Sequence, residues 1–146
     1  MLNRAAKNGV RTVGLANHYF PTTDFQRFVR LRARLRRKPV PGMTVLVGAE
    51  LCVLDDQGTI TLTPTEAGQL DFVLAGPHHF RQRWVAEPPR GSAVEFVEHQ
   101  HRLLLNAARQ PLVNGLAHPW VINIQHAPRR WNFTPADFLN AWREDH

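Results

Sequence analysis

The sequence predicts an α/β fold in which parallel strands form a sheet or a barrel. Short apolar segments alternate with amphipathic helical segments along the 146 residues, which is typical of successive βα units. Four of the apolar segments are each followed by a histidine or a glutamate, and the working residues of such folds lie at the carboxyl ends of the strands. Because the length is that of one domain, we expect residues 1–146 to form a single domain.

The predicted elements of the first half follow from caps, breakers and apolar runs. They are a short helix over 2–8, a strand over Val10–Leu15, a helix capped by Thr22 or Thr23 that runs to Arg37, and a strand over Thr44–Val47. The turn sequence Asp55-Asp56-Gln57-Gly58 then predicts a small hairpin between Leu51–Leu54 and Thr59–Leu62. This hairpin would be an insertion after the second visible strand.

The second half continues the alternation of strands and helices. Its predicted elements are a helical turn from Thr63-Pro64 to Gly68, a strand over Phe72–Leu74, a helix with a Ser92/Glu95 capping box that runs to Arg109, a strand over Val113–Ala117, and a last helix opened by Thr134-Pro135-Ala136-Asp137. The capping box satisfies two amide donors that the first turn leaves unpaired. Proline at the first helical position favours the same boundary in the last helix.

Composition excludes several classes of protein. There is no run of 18 or more apolar residues, so we expect no transmembrane helix and no membrane partner. The first residues lack the apolar segment of a secretory signal. Cys52 is the single cysteine, which excludes an intramolecular disulfide and a cysteine-rich zinc module. The predicted compartment is therefore a reducing one, most simply the cytoplasm.

Positive charge is concentrated in the first third of the chain. Residues 1–50 contain ten Arg and Lys residues and two acidic residues. Residues 51–146 contain eight Arg and Lys residues and ten acidic residues. Most of the excess lies within Arg27–Lys38. A solvated outer helix is the favoured interpretation, because cations near a helix C-terminus interact well with its dipole. Contact with nucleic acid is the less favoured alternative, since few aromatic residues interleave with the cations.

The four strand ends carry the candidate site. His18, Glu50, His78 and His118 follow successive strands at intervals of 32, 28 and 40 residues, about one βα unit each. In a parallel sheet or barrel these ends share one rim, so three imidazoles and a carboxylate would converge. Such a set can bind Zn²⁺, Mn²⁺ or Fe²⁺, and ions there would activate water and polarise a phosphoryl oxygen.

These residues lie in motifs that resemble those of the PHP (polymerase and histidinol phosphatase) family. The motifs, in order, read Gly14-Leu15-Ala16-Asn17-His18, Gly48-Ala49-Glu50, the segment from Asp71 to His78, and Leu116-Ala117-His118-Pro119. The resemblance covers about residues 9 to 120 and implies part of a distorted (β/α)7 TIM-like barrel.

The resemblance also implies roles for the four residues. Glu50 would bridge two ions of a site that holds two or three in the complete family, His78 and His118 would bind one ion, and His18 would bind another. The catalytic set would be Glu50, His78 and His118. The implied reaction is hydrolysis of a phosphate ester by a metal-activated water, with a small phosphorylated substrate such as histidinol phosphate.

Three features depart from the family pattern. The family's first H-x-H motif and its closing D-x-H motif are not found, so we interpret residues 1–146 as a partial barrel domain from a longer protein. Asn17 stands where the family usually has Asp. A partial domain would have impaired activity, and its missing strands would leave exposed barrel edges through which another chain could associate.

Three further residues are candidates for substrate binding. Arg129 and Arg130 share a loop after the fourth strand with His126, and a guanidinium pair can hold a phosphate in a bidentate grip. His79 is the third candidate, although adjacent residues at a strand end diverge and the resemblance selects His78 as the ligand. His99 and His101 lie mid-helix on different faces, where packing or solvation is expected.

Two alternatives to a phosphomonoesterase remain open. One is a PHP-type nuclease that acts on oligonucleotides, for which the Arg-rich helix would have to border the site. The other is a non-catalytic remnant that serves as an interaction domain.

Overall fold

The computed structural model describes residues 1–77, 85–86, 91–118 and 133–145. The helices are α1 (Leu2–Lys7), α2 (Gln26–Arg37), α3 (Pro64–Ala67), α4 (Ala93–Arg109) and α5 (Pro135–Asp145). The strands are β1 (Thr12–Tyr19), β2 (Thr44–Cys52), β3 (Phe72–Gly76) and β4 (Gly115–Leu116).

The four described strands form one parallel sheet in the order β1-β2-β3-β4. Each strand therefore pairs with the next strand along the chain, and a helix occurs in each connection. The α/β class and the parallel sheet are confirmed. This unreversed strand order is compatible with part of an α/β barrel, because a barrel adds its strands in sequence.

The two faces of the sheet differ in what covers them. On the helix-covered face, Ala49 and Leu51 of β2 and Val73 and Ala75 of β3 belong to the main core cluster. That cluster also contains Phe28 of α2, Phe96 and Leu103 of α4, and Phe138 of α5. Side chains alternate along a strand, so Leu46, Gly48 and Glu50 of β2 and Phe72 and Leu74 of β3 point to the opposite face. There Leu46, Phe72 and Leu74 are only half-buried.

Two glycines make room for Phe72 on this opposite face. A Cβ at Gly48 would lie 2.6 Å from the Phe72 ring and 2.6 Å from its carbonyl oxygen, and a Cβ at Gly14 would lie 3.1 Å from the ring. Gly48 pairs with Phe72 in the β2–β3 register. The ring of Phe72 therefore lies across β2 and reaches β1. Position 48 has no room for a side chain, and a Cβ at position 14 would be tightly packed against the ring.

Helix α2 is fixed to the sheet by an ion pair and an aromatic cluster. Arg32 Nε donates to Asp71 Oδ1 over 2.9 Å, and Asp71 Oδ2 accepts from the backbone N–H of Val47 over 2.9 Å. Phe28 is 2% exposed and packs edge-on against the Tyr19 ring. Asp71 thus ties α2 to both β2 and the start of β3.

The predicted starts of three helices are confirmed, and each has a side-chain cap. Thr63 and Ser92 form capping boxes with Glu66 and Glu95. Thr134 Oγ1 accepts from the backbone N–H of Asp137, whose carboxylate accepts from the backbone N–H of Thr134.

Helix α2 does not have the predicted threonine cap. Its N-cap position is Phe25, without a side-chain cap. Thr23 instead accepts from the backbone N–H of Phe20 within the preceding turn, while Asp24 accepts from the backbone N–H of Gln26. The helix therefore begins three residues after Thr23, because that threonine is used to close the turn.

The predicted hairpin after the second strand is wrong. Strand β2 continues through residues 51 and 52, because Leu51 and Cys52 pair with β3. Beyond it, residues 53–62 contain no strand. Asp55 Oδ1 accepts from Thr59 N to close a turn, and Asn106 of α4 donates to the carbonyl oxygen of Asp56 over 2.7 Å. The backbone N–H of Leu54 donates to the carbonyl oxygen of Thr59 over 2.9 Å, so the turn closes locally and docks on α4 without forming the two strands of a hairpin.

The observed boundaries of other strands also differ from the predicted ones. Strand β1 begins later than predicted and runs on to Tyr19, and β2 includes Glu50, so His18 and Glu50 lie within strands rather than after them. Strand β4 has only two of the five predicted residues.

We expect Gly48→Ala to destabilise the fold by about 2 kcal/mol, because an added methyl group overpacks the contact with Phe72. Urea unfolding followed by circular dichroism measures the change. Gly68→Ala is the matched control, since its φ is −62° and a Cβ there would meet its nearest atom at 3.6 Å. A Gly48 variant as stable as the Gly68 variant would contradict the Phe72 contact.

Asp71→Asn should reduce stability at pH 7 by about 1.5–3 kcal/mol, the usual contribution of a hydrogen bond to a charged group. Hydrogen bonding from Arg32 holds the pKa of Asp71 below its ordinary value. The stabilisation is therefore complete above the unfolded-state pKa and is lost as pH falls through the lower folded-state pKa. Urea unfolding between pH 7 and pH 2 should show the wild type and the variant converging in acid.

Asp24→Asn provides the control for this pH dependence. Asp24 pairs with Arg30, but the two side chains are 61% and 66% exposed, so solvent screens the interaction. We expect Asp24→Asn to change stability much less than Asp71→Asn. An equal effect of the two substitutions would show that burial of the Asp71 pair is unimportant.

Candidate functional site

Pairing of β1 with β2 places His18 directly beside Glu50. The two residues are partners in the parallel register, so their side chains project from the same face of the sheet. His18 Nδ1 lies 4.0 Å from Glu50 Oε1. The Glu50 side chain is 17% exposed and the His18 side chain 40%, which leaves the carboxylate sheltered and the imidazole open to solvent.

His118 reaches the same carboxylate from the end of β4. Its Nε2 lies 2.7 Å from Glu50 Oε1, a hydrogen-bond distance. Three of the predicted residues, His18, Glu50 and His118, are thus brought together at the carboxyl edge of the sheet. Residues 68 positions apart in the chain meet here, and Glu50 is the common neighbour of both histidines.

The backbone at His118 is strained. Its φ is +30°, and it is the one non-glycine residue with positive φ among the described residues. This region of φ is costly for a residue with a Cβ. Strain of this kind persists where the surrounding structure requires it, often at functional sites.

Gly76 allows the approach of His118. A Cβ at Gly76 would lie 2.8 Å from the carbonyl oxygen of Ala117 and 3.4 Å from His118 Cε1. Any larger residue would push the end of β4 away from β3. The glycine at the end of β3 is therefore part of what brings the imidazole to Glu50.

Neighbouring residues hold His18 in place. Its ring stacks on Phe20 with centroids 5.4 Å apart. Its backbone N–H donates to Asn17 Oδ1 over 2.9 Å, and its carbonyl oxygen accepts from Arg27 Nη2 over 2.6 Å. Arg27, at the start of α2, is therefore part of the site's border. Sequence reasoning missed Phe20 and Arg27, because neither belongs to a motif with a histidine or a carboxylate.

Two imidazoles and one carboxylate are the donor types that Zn²⁺, Mn²⁺ and Fe²⁺ take in proteins. Within the described residues, however, no group of three or more His, Cys, Asp and Glu side chains is arranged to hold a metal ion. The arrangement found is a hydrogen-bonded Glu50–His118 pair with His18 beside it. The predicted ligand His78 lies outside the described residues.

The other predicted residues fall into two groups. His79, His126, Arg129 and Arg130 lie outside the described residues. His99 and His101 lie on α4. His99 is 5% exposed, and burial lowers its pKa, so it packs as a neutral side chain.

A scan against protein-family models gives no match, and a search of curated proteins gives none either. Among the residues described, none of the helices is both long enough and apolar enough to span a bilayer.

We expect His118→Gly to be more stable than His118→Ala by about 1 kcal/mol, because alanine keeps the cost of a left-handed backbone and glycine does not. Both variants lose the hydrogen bond to Glu50. The difference between their urea midpoints therefore reports the cost of the left-handed backbone at residue 118. The same pair of substitutions at Leu116, within β4, should give the opposite order. If alanine were the better residue at both positions, His118 would not be strained.

Proposed function

We propose that this protein takes part in metal-dependent hydrolysis of a phosphate ester, through a water activated by Zn²⁺, Mn²⁺ or Fe²⁺. The leading substrate is a small phosphomonoester such as histidinol phosphate, and the predicted compartment is the cytoplasm. Part of a PHP-type barrel is the proposed architecture. The proposal rests on the ordered motifs described above and on the position of Glu50.

The observation that carries the proposal is the Glu50 carboxylate between two imidazoles. Glu50 Oε1 lies 2.7 Å from His118 Nε2 and 4.0 Å from His18 Nδ1. The three side chains come from the ends of different parallel strands, where active sites of barrel folds occur. A strained backbone at His118 and a glycine at position 76 both serve to keep His118 close to Glu50.

The donor set fits a divalent ion by its chemistry. Glu50, His18 and His118 would hold it, together with His78 as implied by the family resemblance. A bound ion would supply Lewis-acid polarisation of a phosphoryl oxygen and a water of lowered pKa. Two or three ions are proposed for a complete site of this family.

The protein's own residues would position the ligands. Glu50 holds His118 beside it over 2.7 Å, a hydrogen bond that coordination of an ion by the same two atoms would replace, and Phe20 fixes the ring of His18 by stacking. Arg27 places a positive charge beside the His18 carbonyl oxygen, where it would favour an anionic ester. Arg129, Arg130 and His79 are further proposed contacts to the phosphate.

A second candidate is a non-catalytic remnant that associates with another chain. All-parallel sheets are normally covered on both faces, whereas Leu46, Phe72 and Leu74 are half-buried on the opposite face. Strand β1 is eight residues long and lies at an edge of the described sheet. Such an edge can pair with a further strand, so we propose association through the exposed edges in either case.

Metal content and hydrolysis test the first candidate. Protein purified without chelator should contain about one or more equivalents of Zn, Mn or Fe by elemental mass spectrometry. Glu50→Gln and His118→Ala should each lower the content at least about tenfold, because each removes a proposed ligand and even loss of an outer-shell partner lowers metal affinity by about 10–100-fold. Hydrolysis of p-nitrophenyl phosphate with added Zn²⁺ or Mn²⁺ should fall with it.

Matched variants away from the strand ends serve as controls. Glu144→Gln on α5 and His101→Ala on α4 make the same substitutions at positions that do not border Glu50, and both should keep metal and activity. Folded protein that binds no added metal would overturn the phosphoesterase and leave the interaction domain.

A further inference from the structure

Helix α2 carries a stripe of arginines along its outer face. Arg27, Arg30, Arg34 and Arg37 are all exposed and are spaced at i, i+3, i+7 and i+10, which places them on one side of a helix. Phe28 and Arg32 occupy the other side, toward the sheet. With a rise of 1.5 Å per residue, the Arg stripe is about 15 Å long.

Few acidic residues neutralise the Arg stripe. Arg30 pairs with the exposed Asp24, while Arg32 and Arg36, outside the stripe, share Asp71. Among the described residues, Arg27, Arg34 and Arg37 form no ion pair with a carboxylate. Arg34 and Arg37 are therefore available to an external anion. Arg27 lies over the Phe28 ring and donates one N–H to the His18 carbonyl oxygen, which leaves its other N–H groups for the same anion.

The stability of α2 does not explain why the arginines of the stripe are three and four residues apart. Like charges three and four residues apart, as in Arg27–Arg30, Arg30–Arg34 and Arg34–Arg37, each destabilise a helix by about 0.2–0.5 kcal/mol. Favourable interaction with the helix dipole is confined to the last turn. A linear polyanion lying along the stripe would remove this repulsion.

We propose that the Arg stripe binds the phosphate backbone of nucleic acid. A stripe about 15 Å long spans about four phosphates of one B-form strand, which carries a charge every 3.4 Å. Because the one aromatic residue of α2, Phe28, lies in the core, no base-stacking platform accompanies the stripe. Binding is therefore electrostatic and independent of base sequence.

A membrane surface fits α2 less well than nucleic acid does. Helices that bind in the bilayer interface bury an apolar face in it. The apolar face of α2 packs on the sheet through Phe28 and Val29, and Leu31, 38% exposed, is the one large apolar side chain of α2 with substantial exposure. The charges of the stripe are thus presented without an apolar face to insert.

The stripe ends at the candidate site. Arg27 donates to the carbonyl oxygen of His18, so a bound strand would pass from the outer face of α2 to the edge near Glu50. Binding to the stripe is nevertheless separate from the proposed hydrolysis, because it needs neither a metal ion nor the carboxylate of Glu50. The two proposals can therefore fail independently.

Fluorescence anisotropy with a fluorescein-labelled 20-nucleotide oligothymidylate, in EDTA, tests the surface. With three phosphate contacts at a slope of about −0.7 each, wild-type affinity should fall about 20-fold between 50 and 200 mM NaCl. In the variant Arg30→Gln/Arg34→Gln/Arg37→Gln one contact remains, so the fall should be about 3-fold and binding at 50 mM NaCl at least about 10-fold weaker. Glutamine retains good helix propensity.

The control variant is Arg4→Gln/Lys7→Gln/Arg143→Gln, which removes the same charge from exposed positions on α1 and α5. It should keep the wild-type salt dependence. Equal loss in both triple variants would overturn the Arg stripe in favour of net charge alone. Binding of the wild type to phosphatidylserine vesicles but not to the oligonucleotide would overturn the choice of ligand.

Chemical-shift mapping on the wild-type chain gives a readout that needs no variant. Amide shifts on adding the oligonucleotide should concentrate in α2 and at His18. Shifts confined to α4 and α5 would contradict the proposal. Hydrolysis of p-nitrophenyl phosphate without oligonucleotide binding would retain the proposed function and reject the stripe, whereas binding without hydrolysis would do the reverse.

Discussion

The structure depends on the fit of Phe72 against the two glycines of neighbouring strands. Its ring occupies the space above Gly48 and reaches Gly14, so the β1, β2 and β3 strands are held in one register. A slip of one residue would send every side chain of a strand to the other face. Because the same register pairs His18 with Glu50, a packing contact of one aromatic ring also fixes the geometry of the candidate site.

The helix-covered face of the sheet stabilises the fold, whereas the opposite face carries the candidate site. Ala49, Leu51, Val73 and Ala75 are at most 2% exposed and provide the apolar burial that stabilises the domain. The opposite face carries the glycines, half-buried apolar residues and Glu50. Small residues there let side chains at the strand ends approach one another, at the cost of a less completely buried surface.

Much of the helical part of the fold follows from local sequence, whereas strand ends and turns depend on distant contacts. The boxes at Thr63 and Ser92 were predictable because cap chemistry is local. The docking of Asp56 on Asn106 was not, because its partner lies 50 positions away; turn residues alone favoured a hairpin. His18 and Glu50 were predicted as candidates from strand order, yet no sequence pattern indicated the positive φ of His118 or the stacking of Phe20.

The uneven charge of the sequence becomes a spatial division in the fold. Most arginines of α2 lie outward, while α5 carries the exposed Asp137 and Glu144 against one arginine, Arg143. A field of this kind orients an approaching polyanion before contact, toward α2 and away from α5. Arg27 joins the positive surface to His18, so the same division that directs an anion to α2 also brings it to the edge of the sheet where Glu50 lies.

Electrostatic steering of this type weakens within a Debye length of about 8–10 Å at physiological salt, which is shorter than the stripe itself. Close contact along several arginines, rather than the distant field, therefore has to provide the affinity.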